Sequence, residues 1–188
     1  ATVGFNICED IWFPDGPTRL QAAGGVDVII NINASPFQIG KSRIREQMLA
    51  TRARENGVIV TYTNTVGGQD ELVFDGNSLV LDQTGAVIAR AKAFQEDFLL
   101  ADLNVDAVMR HRMAQRRTKA LSGKLAGAVE RMTVKLSAAP KRARVVSALE
   151  SPREELDEVY AALVLGVRDY VRKNGFKKVV IGLSGGID

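Results

Sequence analysis

Cys8, the only cysteine in the chain, ends the apolar run Val3-Gly4-Phe5-Asn6-Ile7 and is followed at once by Glu9-Asp10, with Trp12 close behind. A thiol held on a strand-to-loop turn is well presented for attack on a carbonyl carbon, and the backbone N–H of the next residue can face the oxyanion that develops. A lone cysteine is more often a small buried hydrophobe, so spacing alone leaves both roles open. A Cys-His pair is disfavoured, because the single histidine, His111, stands in a basic stretch and reads as a surface residue.

The second candidate closes the chain. Val179-Val180-Ile181 runs into Gly182, Leu183, Ser184, Gly185, Gly186, Ile187 and Asp188. A small glycine-rich turn between a strand and a helix lets backbone N–H groups surround phosphate oxygens, and the helix dipole favours their charge. An ordinary βα turn has the same look. Neither the lysine-bearing P-loop pattern nor the dinucleotide fingerprint is present.

Alternating elements must carry these residues. Residues 3–7 read as a strand, 18–23 as a short helix, and 26–33 as a strongly apolar strand. Ser35-Pro36-Phe37 is a loop, 42–56 a charged helix stopped by Gly57, and 58–64 a further β-branched strand. After a polar loop at Gly67-Gly68-Gln69-Asp70-Glu71, 77–81 and 86–91 form a hairpin through Asp82-Gln83-Thr84-Gly85, and 98–103 is a last strand. From Ser151 a helix is expected, with Ser as N-cap, Pro152 at the first helical position and Glu154 three residues on. Leu156, Val159, Tyr160, Leu163, Val167, Tyr170 and Val171 line one face of it, Asn174-Gly175 stops it, and 179–182 reads as a buried strand.

Composition sets the outer bounds. The 188 residues are 46% hydrophobic, which excludes disordered and fibrous classes, and one cysteine excludes a disulfide framework. No run is long and apolar enough to span a membrane, and the first residues lack a signal-peptide pattern, so a cytoplasmic location is expected. Charge is uneven: residues 110–144 hold 11 Lys and Arg against one acid, Glu130, while the rest carries 14 bases and 21 acids. That stretch has no aromatic residue for stacking, so a solvated linker or exposed helix is preferred over a docking surface, and nucleic-acid binding ranks last. The expected division is a domain over 1–105, a basic linker over 106–150 and the start of a second domain over 151–188. A chain that opens on a strand and stops inside a glycine loop is expected to be an internal piece of a longer one.

Ile7-Cys8-Glu9-Asp10-Ile11-Trp12, Asn33-Ala34-Ser35-Pro36-Phe37 and Gly67-Gly68-Gln69-Asp70-Glu71-Leu72-Val73-Phe74-Asp75-Gly76 together resemble the glutaminase domain of the glutamine-dependent NAD+ synthetase family, within the nitrilase (carbon-nitrogen hydrolase) superfamily. The closing Gly182–Asp188 loop resembles the ATP-binding loop that opens that family's synthetase domain. The resemblance implies an α/β fold: part of an αββα nitrilase-like sandwich, then a linker and the first helix and strand of a Rossmann-like synthetase domain. It implies Cys8 as nucleophile on the glutamine side-chain amide, the Glu9 backbone N–H as oxyanion donor, and Ser35 and Lys41 as glutamine-binding residues. Lys41 facing solvent stays open, as does Trp12 as pocket wall or core aromatic.

The family's glutamate base and its lysine lie N-terminal to the cysteine motif, outside these residues, and Glu9, Glu46 and Glu55 are not expected to replace them. The 188 residues alone are therefore expected to lack glutaminase activity. For the loop, the resemblance implies ATP as substrate, Asp188 as a Mg2+ ligand, and amidation of nicotinate adenine dinucleotide (deamido-NAD+) with release of AMP and pyrophosphate. It also implies a homo-oligomer, and no redox cofactor, nucleic acid or membrane is expected. A free-standing nitrilase-type amidase is the first rival and a non-catalytic remnant the second.

Overall fold

Parallel strands cannot be joined by a tight turn, and here each connection contains a helix. In the computed structural model, which describes residues 1–114, 129–135, 144–183 and 185–186, β1 (Val3–Ile7), β2 (Val28–Asn33) and β3 (Ile59–Asn64) pair in parallel. Helix α1 (Pro17–Ala23) crosses between the first two and α2 (Lys41–Asn56) between the next two. The sheet is extended antiparallel by the hairpin β6 (Leu79–Leu81) and β7 (Val87–Arg90), giving the order β1-β2-β3-β6-β7. Asp82 closes that hairpin by accepting from the backbone N–H groups of Thr84 and Ala86.

The strands are Val- and Ile-rich because both sheet faces are used. On one face Ile29, Val60, Tyr62, Leu79 and Leu81 pack against Ile11, Ala22, Leu49 and Ala53. On the other, Val28, Ile59, Val80 and Ala89 meet Val108 and the flanking Leu99, Ala101 and Leu103. Val108 belongs to α3 (Val105–Ala114), so the stretch expected as linker opens with a helix seated on the sheet.

Four expectations are corrected. The polar segment at 67–71 is not a loop but part of a second ribbon, β4 (Val66–Gln69) and β5 (Leu72–Asp75), which turns at Asp70 with φ of 51°. Residues 98–103 form no strand: alternate side chains Leu99, Ala101 and Leu103 cover the sheet, while the backbone makes no ladder. The helix expected from Ser151 begins later, as α4 (Glu155–Lys173), because the chain just before it is held extended beside β7. There Arg90 donates its N–H to Ala148 and accepts from Glu150. Residues 179–182 form no strand, and Val180 is 96% exposed.

The face of α4 that packs is not the large apolar one. Leu156, Tyr160, Leu163, Val167 and Tyr170 are exposed, whereas Ala162 and Leu165 are buried with Phe94 against Phe37, Val66 and Val73. The stripe of Ala162, Leu165 and Gly166 wins this contact because the partner is a two-stranded ribbon approached at backbone distance: a Cβ added at Gly68 would meet the Cα of Gly166 at 3.0 Å. The expected stop at Asn174-Gly175 is present, with Gly175 at a φ of 73°. No described helix is long and apolar enough to cross a membrane.

Candidate active site

The loops that leave the C-terminal ends of β1, β2 and β3 converge, which is where open α/β sheets place their sites. Cys8 leaves β1 with φ of 47°, a left-handed conformation that a side-chain-bearing residue adopts only under constraint. The constraints are visible. The Ile7 N–H donates to the Asp10 carboxylate at 2.8 Å, and the Asn31 amide donates to the Cys8 carbonyl at 3.4 Å and to Asn6 Oδ1 at 2.7 Å. Asn6 in turn donates to Thr18 and Gln21 of α1, so a buried polar chain ties the turn to the helix beneath it.

The far side of the turn is held by Arg52. Its guanidinium donates to the carbonyls of Ile11 at 3.0 Å and Trp12 at 2.7 Å, and pairs with Glu55. Trp12 itself packs at the edge of the helix-side core. The side chain of Glu9 is exposed, and its carbonyl accepts from the Trp12 N–H.

Asn64, at the end of β3, accepts from the Ser35 N–H at 2.8 Å and donates to the Ser35 carbonyl at 3.1 Å. The same amide donates to Asp75, which takes a two-pronged ion pair from Arg45 at 2.9 and 3.1 Å. Arg45 and Asp75 are 1% and 2% exposed, and the guanidinium also lies over the Tyr62 ring, 5.4 Å from its centre. Burial pushes the Tyr62 phenol up, with Arg45 and Ser35 acting the other way.

Lys41 opens α2 and donates to the Pro36 carbonyl at 3.1 Å. Burial lowers its pKa, and Arg45 adds to the effect. Asp75 and Cys8 work in the opposite direction. Cys8 follows β1, Ser35 follows β2 and Lys41 opens α2, all at the C-terminal end of the parallel strands.

His111 is not among them. It sits on α3 beside Gly57, at the start of β3, roughly 20 Å of strand from the site at the other end. Glu46 is engaged by Arg90 and Glu55 by Arg52. A cleft of about 540 Å³ between α2, β7 and residues 150–158 is lined by Ser42, Asn77, Lys92, Arg153 and Glu158 and does not include Cys8.

Of the closing loop, Gly182, Leu183, Gly185 and Gly186 are exposed, whereas Ser184, Ile187 and Asp188 lie outside the described residues. The Mg2+ expectation rests on Asp188, and no group of three His, Cys, Asp or Glu able to hold a metal occurs among the described residues.

Arg45, Arg52, Asn64 and Asp75 were not singled out from sequence. A signal for the arginines was present: Arg45, Leu49, Arg52 and Ala53 are the buried positions of α2, so two arginines occupy core-facing helical spacing. Nothing comparable marks Asn64.

The carbon-nitrogen hydrolase family profile matches residues 1–113, and the NAD synthase profile matches residues 159–188. The glutamine-dependent NAD(+) synthetase of Aquifex aeolicus is 48% identical over 99% of the chain, and that of Thermotoga maritima 42% over 99%; the chain spans 32% of each. The chain therefore spans about a third of the length of these curated relatives. Among solved structures, the Acinetobacter baumannii glutamine-dependent NAD+ synthetase in complex with ADP superposes with a TM-score of 0.64 at 32% identity, over 94% of this chain and 27% of that one. A Helicobacter pylori carbon-nitrogen hydrolase shares the fold at a TM-score of 0.55 and 23% identity, over 65% of this chain and 48% of its own.

Proposed function

The chain belongs to the carbon-nitrogen hydrolase family, and from that premise we propose that it carries the nucleophile side of a glutaminase site and the opening of an ATP-dependent synthetase domain, as part of a glutamine-dependent NAD+ synthetase. The observation that carries the first half is Cys8 itself, held in a left-handed turn at the end of β1, with Lys41 opening the helix that follows the adjacent strand β2. The second half is supported by relatives that match 99% of the chain and bear that name.

On this reading the Cys8 sulfur adds to the side-chain amide carbon of glutamine, and the developing oxyanion faces the Glu9 N–H. The C–N bond breaks, ammonia leaves, and water cleaves the glutamyl thioester to glutamate and free thiol. The thiol proton passes to the leaving nitrogen through a glutamate outside these residues, with a lysine as second oxyanion donor. Lys41 and Ser35 hold the substrate, Lys41 by pairing with its α-carboxylate, and Trp12 bounds the pocket. The synthetase step uses ATP to adenylate the carboxylate of deamido-NAD+, releasing pyrophosphate, after which ammonia displaces AMP. Gly182–Asp188 would cradle the ATP phosphates, with Asp188 toward Mg2+. The sheet unit, a connecting basic stretch and a second domain from residue 151 make up the division. A cytoplasmic homo-oligomer completes the proposal.

The test uses the complete protein. Cys8→Ala should abolish NAD+ formation driven by glutamine and leave formation driven by ammonium intact. Retained glutamine-driven activity in that variant, or no NAD+ formation from either nitrogen source by the unaltered protein, overturns the reading.

A further inference from the structure

Helix α4 lies within residues 155–173, largely in the stretch matched by the NAD synthase profile, yet its contacts are to the unit matched by the carbon-nitrogen hydrolase profile. Its polar contacts are specific. The Gly68 N–H donates to Asp169 at 2.8 Å, and Lys173 Nζ donates to the Gly68 carbonyl at 2.6 Å and to Gln69 Oε1 at 3.3 Å. The N–H and the carbonyl of one β4 residue, on the same edge of the strand, are thus both held by one helix turn. At the other end of α4, the buried Glu158 accepts from the Ser42 hydroxyl at 2.9 Å, in the first turn of α2 and next in sequence to Lys41.

These contacts lead to the site. β4 pairs with β5, and β5 supports the Ser35 loop: the Phe37 N–H donates to the Val73 carbonyl at 2.7 Å, and Pro36 bridges to Phe74. Phe37 also packs in the cluster built on Ala162 and Leu165 of α4. The last residue of β5 is Asp75, which anchors Arg45 and Asn64. Both segments that carry the proposed glutamine contacts, the Ser35 loop and the start of α2, therefore rest on α4.

We propose that α4 is a positioning element for the Cys8 site, latched through Asp169 and Lys173 to β4 and through Glu158 to the start of α2. The inference rests on the glutaminase reading. Its consequence is that glutamine turnover depends on how the second unit docks.

The experiment measures glutamine hydrolysis and ammonia-driven NAD+ formation in the complete protein for Asp169→Ala, Asp169→Asn and Lys173→Met. Lys173 is exposed, so its variant tests the latch without threatening the fold. Asp169→Ala and Lys173→Met should each lower kcat/KM for glutamine about tenfold, mainly through KM, with ammonia-driven activity unchanged. Asp169→Asn keeps an acceptor for the Gly68 N–H and should recover most of the loss. Unchanged glutamine kinetics in both disrupting variants overturns the proposal, as does a parallel fall of both activities. An unaltered protein that forms NAD+ from ammonium and hydrolyses no glutamine overturns the glutaminase reading itself.

Discussion

Lys41 is poised between opposing influences, and that makes its titration a readable property of the site. Burial and Arg45 favour the neutral amine, while Asp75 and Cys8 favour the ammonium; the net result is a pKa below the ordinary 10.5. If the ammonium pairs with a substrate carboxylate, the pair is intact at neutral pH and is lost as pH rises through this lowered value. KM for glutamine in the complete protein is expected to climb on the alkaline side before pH 10.5 is reached. Lys41→Arg, which stays charged, should remove that limb whatever its KM at neutral pH, because the substrate's own amine titrates alike with both proteins. Matching alkaline limbs for the two proteins would take Lys41 out of carboxylate binding. Cys8 was legible as a candidate from its type and its place at the end of a strand, whereas Ser35 and Lys41 were reached only through the family resemblance. The Arg45–Asp75 pair was not, since a charge reads as surface until its partner, 30 residues away, is seen to bury it. Such a pair is costly to break and weak evidence for stability, so its value here is geometric: it fixes where Asn64, and with it Ser35, can stand.

At the level of elements, the parallel strands followed from their apolar, β-branched runs, because both faces of the sheet are buried, and α2 followed from a charged stretch stopped by Gly57. The β4–β5 ribbon escaped that reading for the reason that makes it useful. Its glycines look like loop residues, yet Gly68 is needed where α4 passes at backbone distance, and Gly166 supplies the matching gap on the helix. A glycine inside a helix costs about 0.5–1 kcal/mol relative to alanine, which the close approach accounts for. Gly68 has no left-handed backbone requirement, so space alone decides its substitution. Gly68→Ala in the complete protein should force α4 off the ribbon and destabilise by about 1–3 kcal/mol, as overpacking does. Hydrogen exchange should then show faster opening over residues 66–75 and 158–173 than over β2 and β3. Uniform exchange, or unchanged stability, would mean that α4 is not seated on the ribbon in solution.

At the scale of the whole molecule, two apolar surfaces stand out as open among the described residues. One is the outer face of α4, and the other is the edge of the sheet, where Val3, Phe5 and Ile7 of β1 stand 41%, 63% and 69% exposed beside Ile32. Motifs could announce two family units in order, but no periodicity tells which part of a longer chain covers a given face. The exposures make the difference measurable. Soluble domains rarely leave contiguous apolar surface of this kind bare, and an unpaired edge strand adds free backbone donors and acceptors. Residues 1–188 alone are therefore expected to self-associate, and Phe5→Asp should reduce that association in light scattering. The same substitution acts in the opposite sense where further chain packs on β1, because it then buries an unpaired carboxylate, at a cost of about 3 kcal/mol or more. Since the relatives are about three times as long as this chain, the complete protein is expected to show that destabilisation in denaturant unfolding. A complete protein indifferent to Phe5→Asp would place this face in solvent, and the extra length of the relatives would then have to fold elsewhere.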